Sequence, residues 1–228
     1  MAYLEAYEKH LERFRNRSPL FLEIGVGYPD SVQPPGARGM GGSLEVFSDW
    51  LGKGSKVVGI DILEDCVNFA DPSRNISIEI GSQVDFAFLD NVLARYGDPD
   101  IILDDGSHND LDMLETFTYL FPHLKTGGVY IVEDCGGNHL RDSDRQEKKD
   151  YMSEDRFIFK CFSHVLKMNQ FYAKNFLAKQ HNVEQTPFFA ENIGFMIKSI
   201  SFYPNLVVFE KGNNVPIDQM VAPAHYMF

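Results

Sequence analysis

Apolar positions in this chain follow two rhythms. Short runs rich in Val, Ile and Leu alternate with longer stretches whose apolar residues recur at helical spacing. Strands are predicted at Phe21-Leu-Glu-Ile24 and near residues 56 to 61, 76 to 81, 100 to 104 and 128 to 133. Between them, helices are predicted near 43 to 51, 63 to 70, 84 to 96 and 110 to 121. Ser43 is the expected N-cap of the first of these, with Glu45 in its first turn. Repeated βαβ units with short connections predict one α/β domain built on a doubly wound, Rossmann-like parallel sheet.

The ends of the chain modify that plan. Residues 2 to 16 place Leu4, Tyr7, Leu11 and Phe14 near helical spacing, which predicts an amphipathic helix packed on the domain. At the other end, Ile193 to Tyr203 and Asn205 to Glu210 are strand-like runs joined by Pro204-Asn205. Such a connection predicts an antiparallel hairpin, giving seven strands, mostly parallel. The organisation expected is an N-terminal helix over 1–17 and a single domain over 18–228. Two segments break the alternation. Tyr28 to Gly42 is too rich in Gly and Pro for regular structure and is expected to cover a ligand. The region 136–190, which contains an aromatic-rich helix from about 156 to 180, leaves the carboxyl end of strand five and is expected to act as a lid or recognition element.

Composition narrows the function. A net charge of -12 over 228 residues repels phosphate backbones, and the most basic stretch, Arg141 to Lys149, is interleaved with Asp and Glu, so nucleic acid is not an expected partner. Cys66, Cys135 and Cys161 are odd in number and widely spaced, indicating neither a disulfide framework nor a zinc site and fitting a reducing cytoplasm. The N-terminal residues carry charges throughout, unlike a signal peptide. No uncharged run approaches the roughly 20 residues that span a bilayer.

The chemistry gathers at strand ends. Glu23-Ile-Gly25-Val-Gly27, Asp61, Asp104-Asp-Gly-Ser-His108 and Glu133-Asp134 each close a strand-like run, and ligands of open parallel sheets sit beyond those ends. Glycines there let backbone N–H groups approach a ligand. Taken alone, Asp61 reads equally as a helix N-cap and His108 as a cap on the helix that follows it.

Together these features resemble the class I S-adenosylmethionine-dependent methyltransferases, over about residues 18 to 211. The Asp104-Asp-Gly-Ser-His108 motif, followed about 25 residues later by Glu133-Asp134, further resembles the metal-dependent sugar O-methyltransferases of macrolide biosynthesis and their cephalosporin hydroxylase-like and rhamnosyl O-methyltransferase relatives. The resemblance implies that Glu23, Gly25 and Gly27 line the methionine part of the cofactor, with Gly42, Ser43 and Leu44 closing over it. It implies that Asp61 holds the ribose hydroxyls, that Gln83 lies near the adenine and that Asp104 is on the cofactor side. Asp105, Asp134 and Glu133 are then candidates for a hard divalent cation, with Mg²⁺ favoured by oxygen donors clustered without cysteine. His108 becomes the base that removes a proton from an acceptor hydroxyl oriented by Asp105 and the cation. The implied acceptor is a hydroxylated small molecule, a sugar of a natural product or glycan. His139 could line its pocket, and Phe171, Tyr172, Phe188 and Phe189 could wall it, serve as core or form an oligomer interface.

Other readings remain open. A metal-independent N- or C-methyltransferase would share the fold, and a non-catalytic partner protein would be expected to lose the acidic strand ends that this chain keeps. Non-haem iron chemistry lacks its His-x-Asp motif. A nicotinamide oxidoreductase is disfavoured by Asp30, which stands where a third glycine belongs, and by the terminal hairpin. A homo-oligomer is a further expected partner arrangement, though only one short helix precedes strand one, where some of the macrolide enzymes carry a long N-terminal region that contributes to assembly and substrate contacts.

Overall fold

The computed structural model describes residues 2–27, 41–135, 156–165 and 191–213. Seven strands form one sheet: β1 (Leu20–Ile24), β2 (Lys56–Asp61), β3 (Ile76–Ile80), β4 (Ile101–Asp104), β5 (Val129–Val132), β6 (Ile197–Tyr203) and β7 (Leu206–Lys211). Their spatial order is β3-β2-β1-β4-β5-β7-β6. β1 to β5 pair in parallel, whereas β7 runs antiparallel to both β5 and β6. Chain order reverses between β1 and β4, the switch point at which such sheets open a crevice. The expected Rossmann-like sheet with a reversed terminal hairpin is therefore the architecture found.

Strands β1, β4 and β5 are buried on both faces, which explains their unbroken apolar character. One face carries α3 (Phe86–Tyr96), α4 (Asp110–Leu120) and the helical residues 157–165. There Phe117 packs against Phe209, with ring centroids 4.4 Å apart, and edge-on against Tyr130 and Phe157. Burying each such side chain contributes about 1.5–3 kcal/mol. The opposite face carries α1 (Ala2–Leu11) and α2 (Gly42–Leu51), where Phe47 stacks on Phe21 at 4.4 Å and meets the edge of Tyr7. No helix among the described residues is long and apolar enough to cross a membrane.

Several local expectations need correction. Of the expected N-terminal stripe, Tyr7, Leu11 and Phe14 pack on the domain but Leu4 is 72% exposed; Ala6 and His10 are buried as well, with His10 held between Glu210 and Tyr203. Ser43 is not an N-cap, because α2 starts one residue earlier, after Gly41 in the left-handed conformation. The stretch after β2 winds as a 3₁₀ helix over Glu64–Phe69. Glu191–Gly194 is a helical turn, so β6 begins at Ile197, and Pro204-Asn205 makes the two-residue turn to β7 with Asn205 at φ 64°. Residues 28–40, 136–155 and 166–190, which include most of the stretch expected as an aromatic-rich helix from about 156 to 180, lie outside the described residues. His139, Phe171, Tyr172, Phe188 and Phe189 lie there too.

Candidate active site

Register brings the motifs to one edge. Ile24 pairs with Ile60 and Asp104, and Asp104 pairs with Val132. The ladder runs one residue further, as Gly25 N–H donates to Ile60 O, Asp105 N–H to Ile24 O and Glu133 N–H to Asp104 O, each at 2.9 Å. Gly25, Asp105 and Glu133 thus leave the sheet side by side. Gly25 has a φ of +87°, and a Cβ there would lie 2.1 Å from the Asp105 carbonyl oxygen. The first glycine is therefore required by packing against the neighbouring strand end as well as by its conformation.

Glu23 stands on the α2 face of β1 and is 1% exposed. Its Oε1 accepts the Ser43 hydroxyl at 2.6 Å, while Oε2 has no hydrogen-bond partner among the described residues. Burial pushes this carboxyl up to about 8, against the Ser43 bond, and the Asp105 charge adds to the rise. A buried oxygen without a donor costs free energy, so Glu23 fits a site completed by a cationic or N–H-bearing ligand.

Asp61 binds the glycine turn. Its Oδ2 accepts Val26 N–H at 2.8 Å and Gly27 N–H at 2.9 Å, and its Oδ1 accepts Leu63 N–H at 2.8 Å. A carboxylate has about four lone-pair sites, which leaves room for a ligand hydroxyl on Oδ1. Cys66 lies close by, and burial followed by the Asp61 charge pushes its thiol up to about 11.

Asp104 and Gln83 face inward. Asp104 is 1% exposed, and its oxygens accept from Gln83 Nε2 (3.3 Å), Gly106 N–H (3.3 Å) and Tyr130 OH (3.2 Å). Burial still pushes its carboxyl up to about 7. Gln83 donates also to Thr116 Oγ1 (3.0 Å) and accepts Ser107 N–H (2.8 Å). Both amide donors of Gln83 are thereby engaged within the protein. The two side chains form a platform under the 105–108 loop.

On that loop and across from it, Asp105, His108 and Asp134 each offer a ligand atom within 4.8 Å of the others. His108 Nε2 lies 3.8 Å from Asp105 Oδ1. Two carboxylates and an imidazole suit a small hard cation, and neighbouring ligands of Mg²⁺ lie about 3 Å apart for bonds of about 2.1 Å, so these three side chains would have to draw together to hold one. Glu133 is not in that group; it is 9% exposed, and burial together with the Asp134 charge pushes its carboxyl up to about 7. His108 and Asp134 both adopt positive φ, 53° and 49°, a conformation uncommon for non-glycine residues though tolerated by His and Asp more than by most. Asp134 Oδ1 accepts from Tyr3 OH and Asn205 Nδ2, each at 2.7 Å.

Tyr3, Asn205, Thr116 and Tyr130 are the site residues that sequence reasoning missed. Tyr3 reads as part of a packing helix and Asn205 as turn chemistry, and no local spacing connects either to Asp134.

No family model matches the chain. Over 128 residues, 56% of its length, it is 38% identical to the mycinamicin VI 2''-O-methyltransferase of Micromonospora griseorubida, with 30% of that protein covered. Over 136 residues, 58% of its length, it is 38% identical to the 8-demethyl-8-alpha-L-rhamnosyl tetracenomycin-C 2'-O-methyltransferase of Streptomyces olivaceus, with 32% of that protein covered. Among solved structures it resembles the MycE methyltransferase of the mycinamycin biosynthetic pathway in complex with Mg, SAH and mycinamycin VI. The TM-score is 0.72 at 26% identity, over 97% of this chain and 52% of that one. The match thus spans about a third of the length of the curated relatives and about half of the solved structure.

Proposed function

We infer that this relative of the natural-product sugar O-methyltransferases, which has the class I methyltransferase fold, is itself an S-adenosylmethionine-dependent O-methyltransferase using Mg²⁺. Its acceptor is a hydroxyl on a sugar of a natural product or glycan. The observation that carries the reading is the Asp105–His108–Asp134 cluster beside the buried Glu23 oxygen that has no hydrogen-bond partner among the described residues. Six carboxylates converge here: Glu23, Asp61, Asp104, Asp105, Glu133 and Asp134. A ligand set bringing positive charge offsets their mutual repulsion.

Bound, the cofactor supplies a methyl group on a sulfonium that needs no activation, and the cation lowers the pKa of the acceptor hydroxyl. The protein's task is then to position two substrates and remove one proton. Glu23 and the backbone around Gly25 and Gly27 receive the methionine end, with Ser43 orienting Glu23. Asp61 accepts ribose hydroxyls while keeping the glycine turn closed. Gln83 and Asp104 act from beneath, supporting the 105–108 loop. Asp105 and Asp134 hold the cation, and Glu133, which lies outside their group, adds negative charge beside it. His108 takes the acceptor proton at Nε2.

A specific observation favours a second role for His108. Its ring nitrogen belongs to the same tight group as the Asp105 and Asp134 oxygens, which suits a cation ligand as well as a base. Substituting His108→Gln separates the two roles, as set out in the Discussion.

The test is turnover of sugar-bearing macrolide and tetracenomycin-type acceptors with S-adenosylmethionine, followed by mass spectrometry. Methylated product that disappears with chelator and returns with Mg²⁺ is expected. Failure to bind S-adenosylhomocysteine, with or without Mg²⁺, would overturn the reading.

A further inference from the structure

Asp134 receives two donors on a single oxygen, from opposite ends of the chain. The Tyr3 hydroxyl lies in the first turn of α1, 131 residues away in sequence, and Asn205 lies in the β6–β7 turn, 71 residues away. Both contacts to Oδ1 are 2.7 Å. The Tyr3 hydroxyl also lies 3.2 Å from the Asn205 carbonyl, so the shorter contact to the carboxylate takes its proton. An oxygen of a carboxylate has about two lone-pair sites. Two donors therefore fill Oδ1 and leave Oδ2 as the atom Asp134 can offer to a cation.

The chemistry of the donors matters as much as their number. A phenol and a carboxamide orient a carboxylate without cancelling its charge, whereas Lys or Arg in either place would neutralise it and weaken its hold on a cation. Asp134 has a φ of 49°, uncommon for a residue other than glycine though tolerated by Asp, and it is braced on two sides. The β6–β7 turn supplies that support from the backbone as well, since Cys135 N–H donates to Asn205 O at 3.1 Å.

We propose that Tyr3 and Asn205 are positioning residues for the cation site, fixing Asp134 so that Oδ2 is presented toward Asp105. This rests on the reading of Asp105 and Asp134 as Mg²⁺ ligands. In this arrangement α1 is a working part of the site, because it delivers one of the two donors that set the geometry of a metal-binding carboxylate. Partners that orient a ligand in this way typically contribute 10- to 100-fold in metal affinity.

The experiment is calorimetric titration of Mg²⁺ into the purified full chain, in parallel for wild type, Tyr3→Phe, Asn205→Gly and Asp105→Asn. Tyr3→Phe removes only the hydroxyl, and glycine keeps the φ of 64° at position 205 without strain. S-adenosylhomocysteine affinity and the melting temperature of the metal-free protein are measured alongside. Tyr3→Phe and Asn205→Gly are each expected to bind Mg²⁺ about tenfold more weakly with S-adenosylhomocysteine affinity unchanged, and Asp105→Asn to lose Mg²⁺ binding. Mg²⁺ binding that is lost in Asp105→Asn but unaltered in Tyr3→Phe and Asn205→Gly would overturn the proposal and leave the cation reading intact. So would a loss of Mg²⁺ affinity matched by a loss of S-adenosylhomocysteine affinity and of melting temperature, which marks a mere structural pin. No Mg²⁺ binding by wild type would overturn the cation reading and this proposal with it.

Discussion

The Ser43 hydroxyl donates to Glu23 Oε1 at 2.6 Å, while Glu23 Oε2 is buried without a hydrogen-bond partner among the described residues. One oxygen is held by the helix that crosses over from β1, and the other is left for a ligand. Because burial raises the carboxyl to about 8, Glu23 is largely protonated at neutral pH in the ligand-free protein. Its folded pKa lies above the unfolded value, so its contribution to stability is fully present below pH 4.5 and is lost as pH rises toward 8. Wild type is expected to melt at lower temperature at pH 8 than at pH 6, and Glu23→Gln to flatten that dependence. A cationic ligand amine prefers the ionised carboxylate, so S-adenosylhomocysteine affinity should rise over the same interval and fall about tenfold or more in Glu23→Gln. Melting curves and calorimetry across pH check both.

Asp61 accepts three backbone N–H groups, two of them from the glycine turn. Asp61→Ala should therefore lower stability by about 1–3 kcal/mol as well as weaken cofactor binding, because buried donors lose their acceptor. Asp61→Asn retains one acceptor oxygen and should be less destabilised than Asp61→Ala. Denaturant unfolding of the two variants distinguishes this double role from ligand contact alone, which would leave unfolding unchanged.

Gly25 packs its α-carbon against the Asp105 backbone. Gly25→Ala combines a contact of 2.1 Å to a carbonyl oxygen with a φ of +87°. A loss of at least about 2 kcal/mol is expected. Failure to yield soluble folded protein would agree with this, and a melting temperature like wild type would contradict it.

His108 and Asp105 are separated by the same pair of measurements, turnover and Mg²⁺ titration. If His108 acts as the base, His108→Gln binds Mg²⁺ normally and loses about 10²- to 10⁴-fold in turnover, the usual contribution of general base catalysis. If it ligates the cation, Mg²⁺ affinity falls as in Asp105→Asn.

Arg156, 5% exposed at its side chain, forms an ion pair with Asp110 at 3.1 Å and donates to the Cys135 carbonyl at 3.0 Å. Phe157 N–H donates to the same Asp110 at 2.7 Å. These bonds join the residue after Asp134 to the start of α4, two residues after His108. Arg156→Met leaves the Asp110 charge and the Cys135 carbonyl without their partner, and a loss of about 3 kcal/mol is expected in equilibrium unfolding.

Much of the fold was legible along the chain. Strand positions follow from short β-rich runs, and every strand from β1 to β5 lies within a residue or two of its expected place. Burial on both faces makes those runs continuous, and continuity is visible in a short window. The hairpin was legible through Pro204-Asn205. The N-terminal stripe was legible in part: Tyr7, Leu11 and Phe14 pack on the domain at their expected spacing, whereas Leu4 points to solvent and Ala6 and His10 are buried in addition. Periodicity defines a stripe, but which stripe is buried depends on the surface it meets.

The same division runs through the site. That Glu23, Gly25, Asp61, Asp105, His108, Glu133 and Asp134 stand at strand ends is a property of the sequence, since each closes a run whose identity is local. Tertiary structure alone decided that Asp104 and Gln83 bond each other beneath the loop, that Ser43 binds Glu23 instead of capping α2, and that Tyr3 and Asn205 meet on one oxygen of Asp134. The physical reason is the range of the interactions. Backbone conformation and apolar period are set by neighbours a few residues apart, whereas a lone pair is filled by whichever donor the folded chain carries to it, here across 71 and 131 residues.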